Sequence, residues 1–307
     1  MTLKFVVKSV IMKSNKNKEY EMIPVQGYEW IIEKPIAHRG LHDEIIPENS
    51  MPAFKAAIEA GCSIEIDVQL TKDGVPIVFH DDFADRMTGV KKRLTRMFLS
   101  DVKKLKLMNT ELEIPTFEEF LEFVGGRTPI LIEIKKNKGS KGIEQIILDM
   151  LKNYNGDFAI QSFHPIAVRN IHKIDPTIYC GLLSSKFSDF KMLRIKKAAV
   201  KNARLFFMAR PDFISFEIKS FPNRRIARFR EEFGMPILGW TVKTIEDIEH
   251  AREFCDGIIF ENIENLKTHL QNIGEYFAQE YEDSSSTEDV NSNDVAVKKT
   301  KAQTQNC

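Results

Sequence analysis

Cysteine is scarce in this chain of 307 residues: it has four, at positions 62, 180, 255 and 307, with no C-x-x-C pair among them. That spacing excludes a zinc knuckle or a paired redox motif and fits buried free thiols in a reducing compartment. Net charge is missing too, with 44 Lys plus Arg facing 44 Asp plus Glu. Nothing therefore draws the whole molecule to nucleic acid, and no nucleic-acid motif accompanies its local basic runs. No apolar run reaches the roughly 18 residues of a spanning helix. The apolar stretch Phe5–Met12 is broken by Lys8 and followed by no small-residue cleavage site, so no signal peptide is read and the expected compartment is the cytoplasm. A Gly-rich dinucleotide fingerprint is also absent after the first strand candidate, which counts against a doubly wound sheet.

What is present is a regular alternation. Short β-branched runs occur at Pro35–His38, Ser63–Val68, Pro76–His80, Pro129–Ile134, Phe158–Gln161, Ile178–Leu183, Phe213–Phe216, Pro236–Trp240 and Gly257–Phe260. Amphipathic segments at 50–60, 116–124, 142–153, 165–173, 188–204, 223–233 and 245–254 separate nearly all of them. Strands alternating with helices in this number predict an α/β fold, a closed (β/α)8, or TIM, barrel. The barrel is expected over residues 31–274, after an N-terminal extension (1–30) and before a polar tail (275–307) too rich in charge and Ser to pack.

Nine strand candidates are one too many for eight staves. The Thr71-Lys72-Asp73-Gly74 gap is too short for a parallel crossover, so Pro76–His80 is read as an accessory strand antiparallel to its predecessor. A two- or four-residue loop in this hairpin puts Glu65, Asp67 and His80 on one face, and a three-residue loop splits them.

Glu65 and Asp67 alternate with Ile64, Ile66 and Val68, and Glu133 stands between Ile132 and Ile134. Carboxylates inside apolar strands need a cation, supplied either by a metal or by Arg39 and Lys135 in an internal salt-bridge cluster. Three acids at strand ends are hard oxygen ligands of the kind that suits Mg2+ or Ca2+. His38 and His80 end two strands, and barrel active sites lie at the C-terminal strand ends. Two imidazoles beside a divalent cation are a set of groups suited to hydrolysing a phosphate ester.

The motifs Ala37-His38-Arg39-Gly40, Pro47-Glu48-Asn49-Ser50, Glu65-Ile66-Asp67, Thr71-Lys72-Asp73-Gly74, Phe79-His80-Asp81, Ile114-Pro115-Thr116-Phe117, Glu133-Ile134-Lys135, Gln161-Ser162-Phe163, Trp240-Thr241-Val242 and Asp256-Gly257-Ile258-Ile259 occur in that order. Over roughly residues 35 to 265 they resemble the glycerophosphodiester phosphodiesterase family. The resemblance implies a barrel of the phosphoinositide-phospholipase-C-like type that hydrolyses glycerophosphodiesters to glycerol 3-phosphate and an alcohol. It implies one divalent cation, Mg2+ or Ca2+, on Glu65, Asp67 and Glu133, with His38 as base and His80 as acid. Arg39 and Lys135 are then expected on the phosphate. Glu48 and Asn49 are either helix caps or supports behind the site, and Phe163 and Trp240 either line a glycerol-sized pocket or pack in the core.

His42 and His164 are read as solvated loop residues. Lys243 and the run Phe260-Glu261-Asn262-Ile263 depart from the family pattern of Asn and of Thr-Asp-x-Pro. Neither is expected to touch the five proposed catalytic positions, so both bear on selectivity. The segment Phe83–Glu113, with Arg86, Lys91, Lys92, Arg93 and Arg96, reads as a basic loop that caps the site or is simply solvated. The basic segment Lys191–Arg204 reads as an amphipathic barrel helix, with weak membrane-surface contact as its alternative. The oligomeric state is open. Rival functions are a lysophospholipase D acting on single-chain phospholipids at a membrane and a catalytically silent binding barrel.

Overall fold

The computed structural model describes residues 27–137, 139–185 and 209–262. Two compact units divide the chain after Glu264. The second unit, Phe5–Met12, the 188–204 segment and the C-terminal tail lie outside the described residues. No helix among the described residues is long and apolar enough to cross a membrane.

Among the described residues nine strands form one sheet: β1 (Ile36–Ala37), β2 (Ser63–Leu70), β3 (Pro76–Val78), β4 (Ile130–Ile134), β5 (Phe158–Ser162), β6 (Cys180–Ser184), β7 (Phe213–Glu217), β8 (Ile237–Val242) and β9 (Gly257–Phe260). All neighbours except β2–β3 are parallel, and β1 pairs with both β2 and β9, which closes eight strands into a barrel with β3 as the extra, antiparallel strand. The expected helices appear at Met51–Glu59, Phe117–Val124, Ile143–Leu151, Pro165–Ile174, Arg224–Phe233 and Ile245–Phe254. Local chemistry sets their starts. Ser50 caps the first, with Pro in its first turn, and Thr116 with Glu119 makes a reciprocal capping box on the second.

The strand period of two explains how one sequence builds a core and a site in the same lumen. Ile36, Leu131, Ala159, Phe213, Leu238 and Ile259 pack with Tyr179 in one buried cluster, and the short helix Trp30–Glu33 adds Trp30, Ile31 and Ile32 to it. Two residues farther along the same strands stand His38, Glu133, Gln161, Ser215, Trp240 and Glu261. Side chains at i and i+2 share a face, so the apolar floor and the polar mouth are successive inward steps of one barrel. Tyr28 stacks on Tyr179 with ring centroids 4.4 Å apart, tying the start of the described chain to that floor.

The hairpin differs from expectation. Thr71 N donates to Val75 O and Val68 pairs with Val78, so the loop is the three residues Lys72, Asp73 and Gly74. Gly74 takes the left-handed position (φ 81°) that such a loop requires. The Asp73 carboxylate accepts from the Thr71 hydroxyl at 2.7 Å and from Leu99 N at 3.0 Å, bracing the turn. In this register Phe79 stands opposite Asp67, its N donating to Asp67 O, which puts His80 a step away on the other parity. The pairing argument for a shared face therefore fails. His80 reaches the acids by another route: β3 ends at Val78, and the buried Gln69 side chain grips the carbonyls on both sides of His80, Phe79 O and Asp81 O, at 2.8 Å each.

The segment after His80 is no simple loop. It holds short helices at Asp85–Thr88 and Leu99–Val102 and a 3-10 turn at Leu94–Arg96. These close over their own apolar cluster, in which Ala84, Met87, Leu94, Met97 and Val102 pack on Ile77 and Phe79. Cys62, Cys180 and Cys255 are buried free thiols.

Candidate active site

β2 and β4 supply the acids. Asp67 and Glu133 are register partners, and Glu65 lies two residues before Asp67 on the same face. Ligand oxygens of Glu65, Asp67 and Glu133 lie within 4.8 Å of one another, and all three residues are buried. Both readings of this cluster from the sequence have substance, because two bases also reach it. Lys135 Nζ lies 2.8 Å from Asp67 Oδ1 and 2.6 Å from Glu133 Oε1, and Arg39 Nε lies 3.2 Å from Asp67 Oδ2. Three carboxylates against two cations leave one negative charge. Burial first, and then mutual repulsion with Asp67, raises the pKa of Glu65; burial likewise raises that of Glu133. Against the burial penalty, Lys135 and His80 hold Asp67 well below the usual carboxylate range. An all-oxygen donor set with surplus negative charge fits a hard divalent cation.

The β1 exit carries the next groups. Gly40 (φ 78°) allows a turn in which an added Cβ would meet Ala53 backbone and Cβ atoms at 2.9 Å. Arg39 itself is left-handed (φ 59°), and its N–H donates to Glu65 Oε2 at 3.1 Å. Arg39 Nη1 donates to Glu48 Oε1 at 2.9 Å, and Arg86 from the capping segment also binds Glu48, at 2.6 Å through Nη2. Asn49 Nδ2 donates to Asp67 Oδ2 at 3.0 Å, while Ser50 is the helix cap. Glu48 and Asn49 thus support the acid cluster and Arg39, and neither is a cap.

Each imidazole leans on a carboxylate. His38 Nδ1 lies 2.8 Å from Glu261 Oε2, and His80 Nδ1 lies 2.6 Å from Asp81 Oδ1. A carboxylate only accepts, so Nδ1 carries a proton in both rings, and proton exchange with a substrate falls to Nε2. His38 Nε2 lies 4.0 Å from Glu65 Oε2. Burial pushes the His38 pKa down to about 4, leaving the ring neutral at pH 7.

These groups open on a cavity of about 310 Å3 lined by His38, Arg39, Glu65, His80, Glu133 and Glu261 among others, with Phe163, Leu183 and Trp240 on its apolar side. Phe163 and Trp240 meet edge to face at 5.4 Å, so both border the cavity and pack on each other. A larger depression of about 610 Å3, lined by the loop after β4 and by the helices Ile143–Leu151 and Pro165–Ile174, holds neither the acids nor the histidines.

Two expectations need correction. Glu261 touches His38 directly, and Lys243 Nζ touches Glu261 Oε1 at 2.9 Å, so these positions reach the proposed catalytic set. His42 and His164 are half-buried rather than fully solvated. Glu261 escaped the sequence reading because its contact depends on barrel closure; a signal existed in its place one residue past the last strand, beside the first. Gln69 escaped because an apolar-strand amide has no motif.

The family profile described as the glycerophosphoryl diester phosphodiesterase family matches residues 38–265. A glycerophosphodiester phosphodiesterase of Caldanaerobacter subterraneus is 31% identical over 245 residues, covering 75% of this chain and 95% of its own. The crystal structure of a glycerophosphodiester phosphodiesterase from Thermotoga maritima, 25% identical, superposes with a TM-score of 0.57 over 73% of this chain and 92% of that one. A phosphodiesterase of Oleispira antarctica, solved with its product sn-glycerol 3-phosphate, is 20% identical with a TM-score of 0.65 over 80% of this chain and 96% of that one. The fold, the span of the match and a relative aligned over nearly its whole length agree: this chain belongs to the glycerophosphoryl diester phosphodiesterase family.

Proposed function

We propose that the protein hydrolyses small glycerophosphodiesters to glycerol 3-phosphate and an alcohol with the help of one divalent cation, Mg2+ or Ca2+. The observation that carries this reading is the convergence of two carboxylate-tethered histidines and three buried acids on one cavity of about 310 Å3. Glu65, Asp67 and Glu133 would hold the cation. When bound, it supplies positive charge to phosphate oxygens as a Lewis acid. Charge bookkeeping supports it: a divalent ion turns the cluster's single negative charge into a single positive one, which a phosphodiester monoanion then neutralises.

The remaining steps belong to the chain itself. His38, neutral and with Nε2 unprotonated, takes a proton from the attacking hydroxyl, which is either water, giving glycerol 3-phosphate directly, or the substrate's own glycerol hydroxyl, giving a cyclic phosphate that water then opens. His80, entering with both ring nitrogens protonated, gives its Nε2 proton to the departing alcohol oxygen and keeps Nδ1–H on Asp81. Arg39 and Lys135 balance the charge that builds on the phosphoryl oxygens. Phe163 and Trp240 form the wall against which the glycerol carbons rest. The catalytic domain in this reading is 31–274.

The test is to incubate the purified chain with glycerophosphocholine, glycerophosphoethanolamine or a lysophospholipid, in Mg2+, Ca2+ or chelator. Glycerol 3-phosphate is expected from the glycerophosphodiesters with metal and not with chelator. No turnover of any diester with either metal sinks the reading, and cleavage of lysophospholipid alone replaces it with the lysophospholipase D.

A further inference from the structure

Three residues form a row across the barrel mouth. Ala37 on β1 and Val242 on β8 both pair with Phe260 on β9. The next residue of each strand, His38, Lys243 and Glu261, therefore falls at one level on three adjacent strand ends. Neighbouring strands run about 4.8 Å apart, within reach of a bridge between side chains. The backbone fixes the row: His38 N donates to Phe260 O and Glu261 N to Val242 O, both at 2.9 Å, and Lys243 N donates to Asp247 Oδ2 at 3.0 Å. The Glu261 carboxylate bridges its neighbours with a different oxygen to each, Oε2 to His38 Nδ1 at 2.8 Å and Oε1 to Lys243 Nζ at 2.9 Å.

We propose that Glu261 is the positioning residue of His38, fixing the Nδ1–H tautomer so that Nε2 faces the acid triad, and that Lys243 is the latch that keeps Glu261 an acceptor. The proposal rests on the reading of His38 as the base. A neutral imidazole carries one proton, and only with that proton on Nδ1 does Nε2 have a lone pair to take another from a hydroxyl. If Glu261 were itself protonated, it would donate to Nδ1 and invert the tautomer. Against the cost of burial, His38 and Lys243 hold the Glu261 carboxyl well below the usual range. The His38 side chain is only 14% exposed, so little water is at hand to replace a lost partner.

The other histidine has the same construction. His80 Nδ1 rests on Asp81, and Asp81 Oδ2 accepts from Arg86 Nε at 2.6 Å. Each imidazole is backed by a carboxylate and each carboxylate by a cation. One pair comes from adjacent residues and a short helix. The other is assembled by the closing strands.

The experiment uses the full chain with saturating divalent cation and glycerophosphocholine. Glu261→Ala is expected to lower kcat by about a hundredfold, the scale of a misdirected general base, while KM stays within about twofold. Glu261→Gln, whose amide oxygen still accepts from Nδ1–H, should recover part of that loss. Lys243→Met should lower kcat by about tenfold. Nitrogen-15 NMR of the imidazoles, with His38 assigned by its loss in His38→Gln, should show the Nδ1–H tautomer in the wild type and a mixture in Glu261→Ala. If Glu261→Ala does not fold, Lys243→Met, altered at a half-exposed side chain, carries the test through the same two readouts. Wild-type kcat in Glu261→Ala or, where that does not fold, in Lys243→Met, or an unchanged His38 tautomer in the same variant, overturns the proposal. A wild type that cleaves no diester refutes the proposed function instead, and the tautomer measurement still judges Glu261.

Discussion

At the scale of single residues, the acids set the chemistry through their cost. Glu65 and Glu133 are buried, and burial raises their pKa, so each holds a proton more readily in the metal-free protein than an exposed carboxyl does. Cation and proton compete for the same oxygens. Binding of Mg2+ or Ca2+ is therefore expected to release protons, more of them as pH falls, with weaker affinity at the lower pH. Calorimetric titration in two buffers of different ionisation enthalpy measures the release directly; heats independent of buffer would contradict it. These acids were legible in the sequence because a carboxylate between two β-branched residues on a buried strand needs a cation, whether a metal or a base. His38 was legible only in company, as one of two strand-end histidines beside those acids. Its partner Glu261 was not, since 223 residues separate them and only closure of β9 on β1 makes them neighbours.

At the scale of elements, the turn from β1 into the helix Met51–Glu59 holds Arg39, Gly40, Glu48 and Asn49 in place. Arg39 and Asn49 are both left-handed, and Asn49 N donates to Arg39 O at 2.8 Å. Strain of this kind persists where surrounding bonds over-determine it. Gly40→Ala puts a Cβ against Ala53 in a left-handed backbone, and it is expected to cost about 1–3 kcal/mol of stability and to lower turnover by shifting His38 and Arg39. Thermal or urea unfolding beside steady-state kinetics checks this; an unchanged midpoint with full activity would show that the turn tolerates a side chain. The β2–β3 hairpin marks where element-level reading failed. The Asp-Gly signal for a tight turn was correct, but loop parity depends on Thr71 and Asp73 side-chain bonds that no periodicity encodes. His80 was nonetheless placed at the site, for a reason the pairing argument did not contain.

At the scale of the whole molecule, alternation of strand and helix was enough to predict the closed barrel and its accessory strand, because a parallel sheet needs a crossover between every pair of neighbours. The small lobe after His80 was not predicted, since its helices are too short to show a period. Charge is segregated along the chain. From Glu275 onward there are seven acids and three lysines, which leaves 41 basic against 37 acidic residues before them. The family match ends at residue 265, so a chain stopped after residue 274 is expected to keep kcat/KM within about twofold. A loss of tenfold or more in a folded truncation would assign the tail a part in catalysis. The central claim is narrower: the three acids hold the cation, and the histidines move protons. It is tested most directly by measuring metal affinity and glycerophosphocholine turnover together in His80→Ala and Glu65→Ala. His80→Ala should lose about a hundredfold or more in turnover yet bind metal as the wild type does, and Glu65→Ala should lose both. Wild-type turnover in His80→Ala, or undiminished metal binding in Glu65→Ala, would contradict the account.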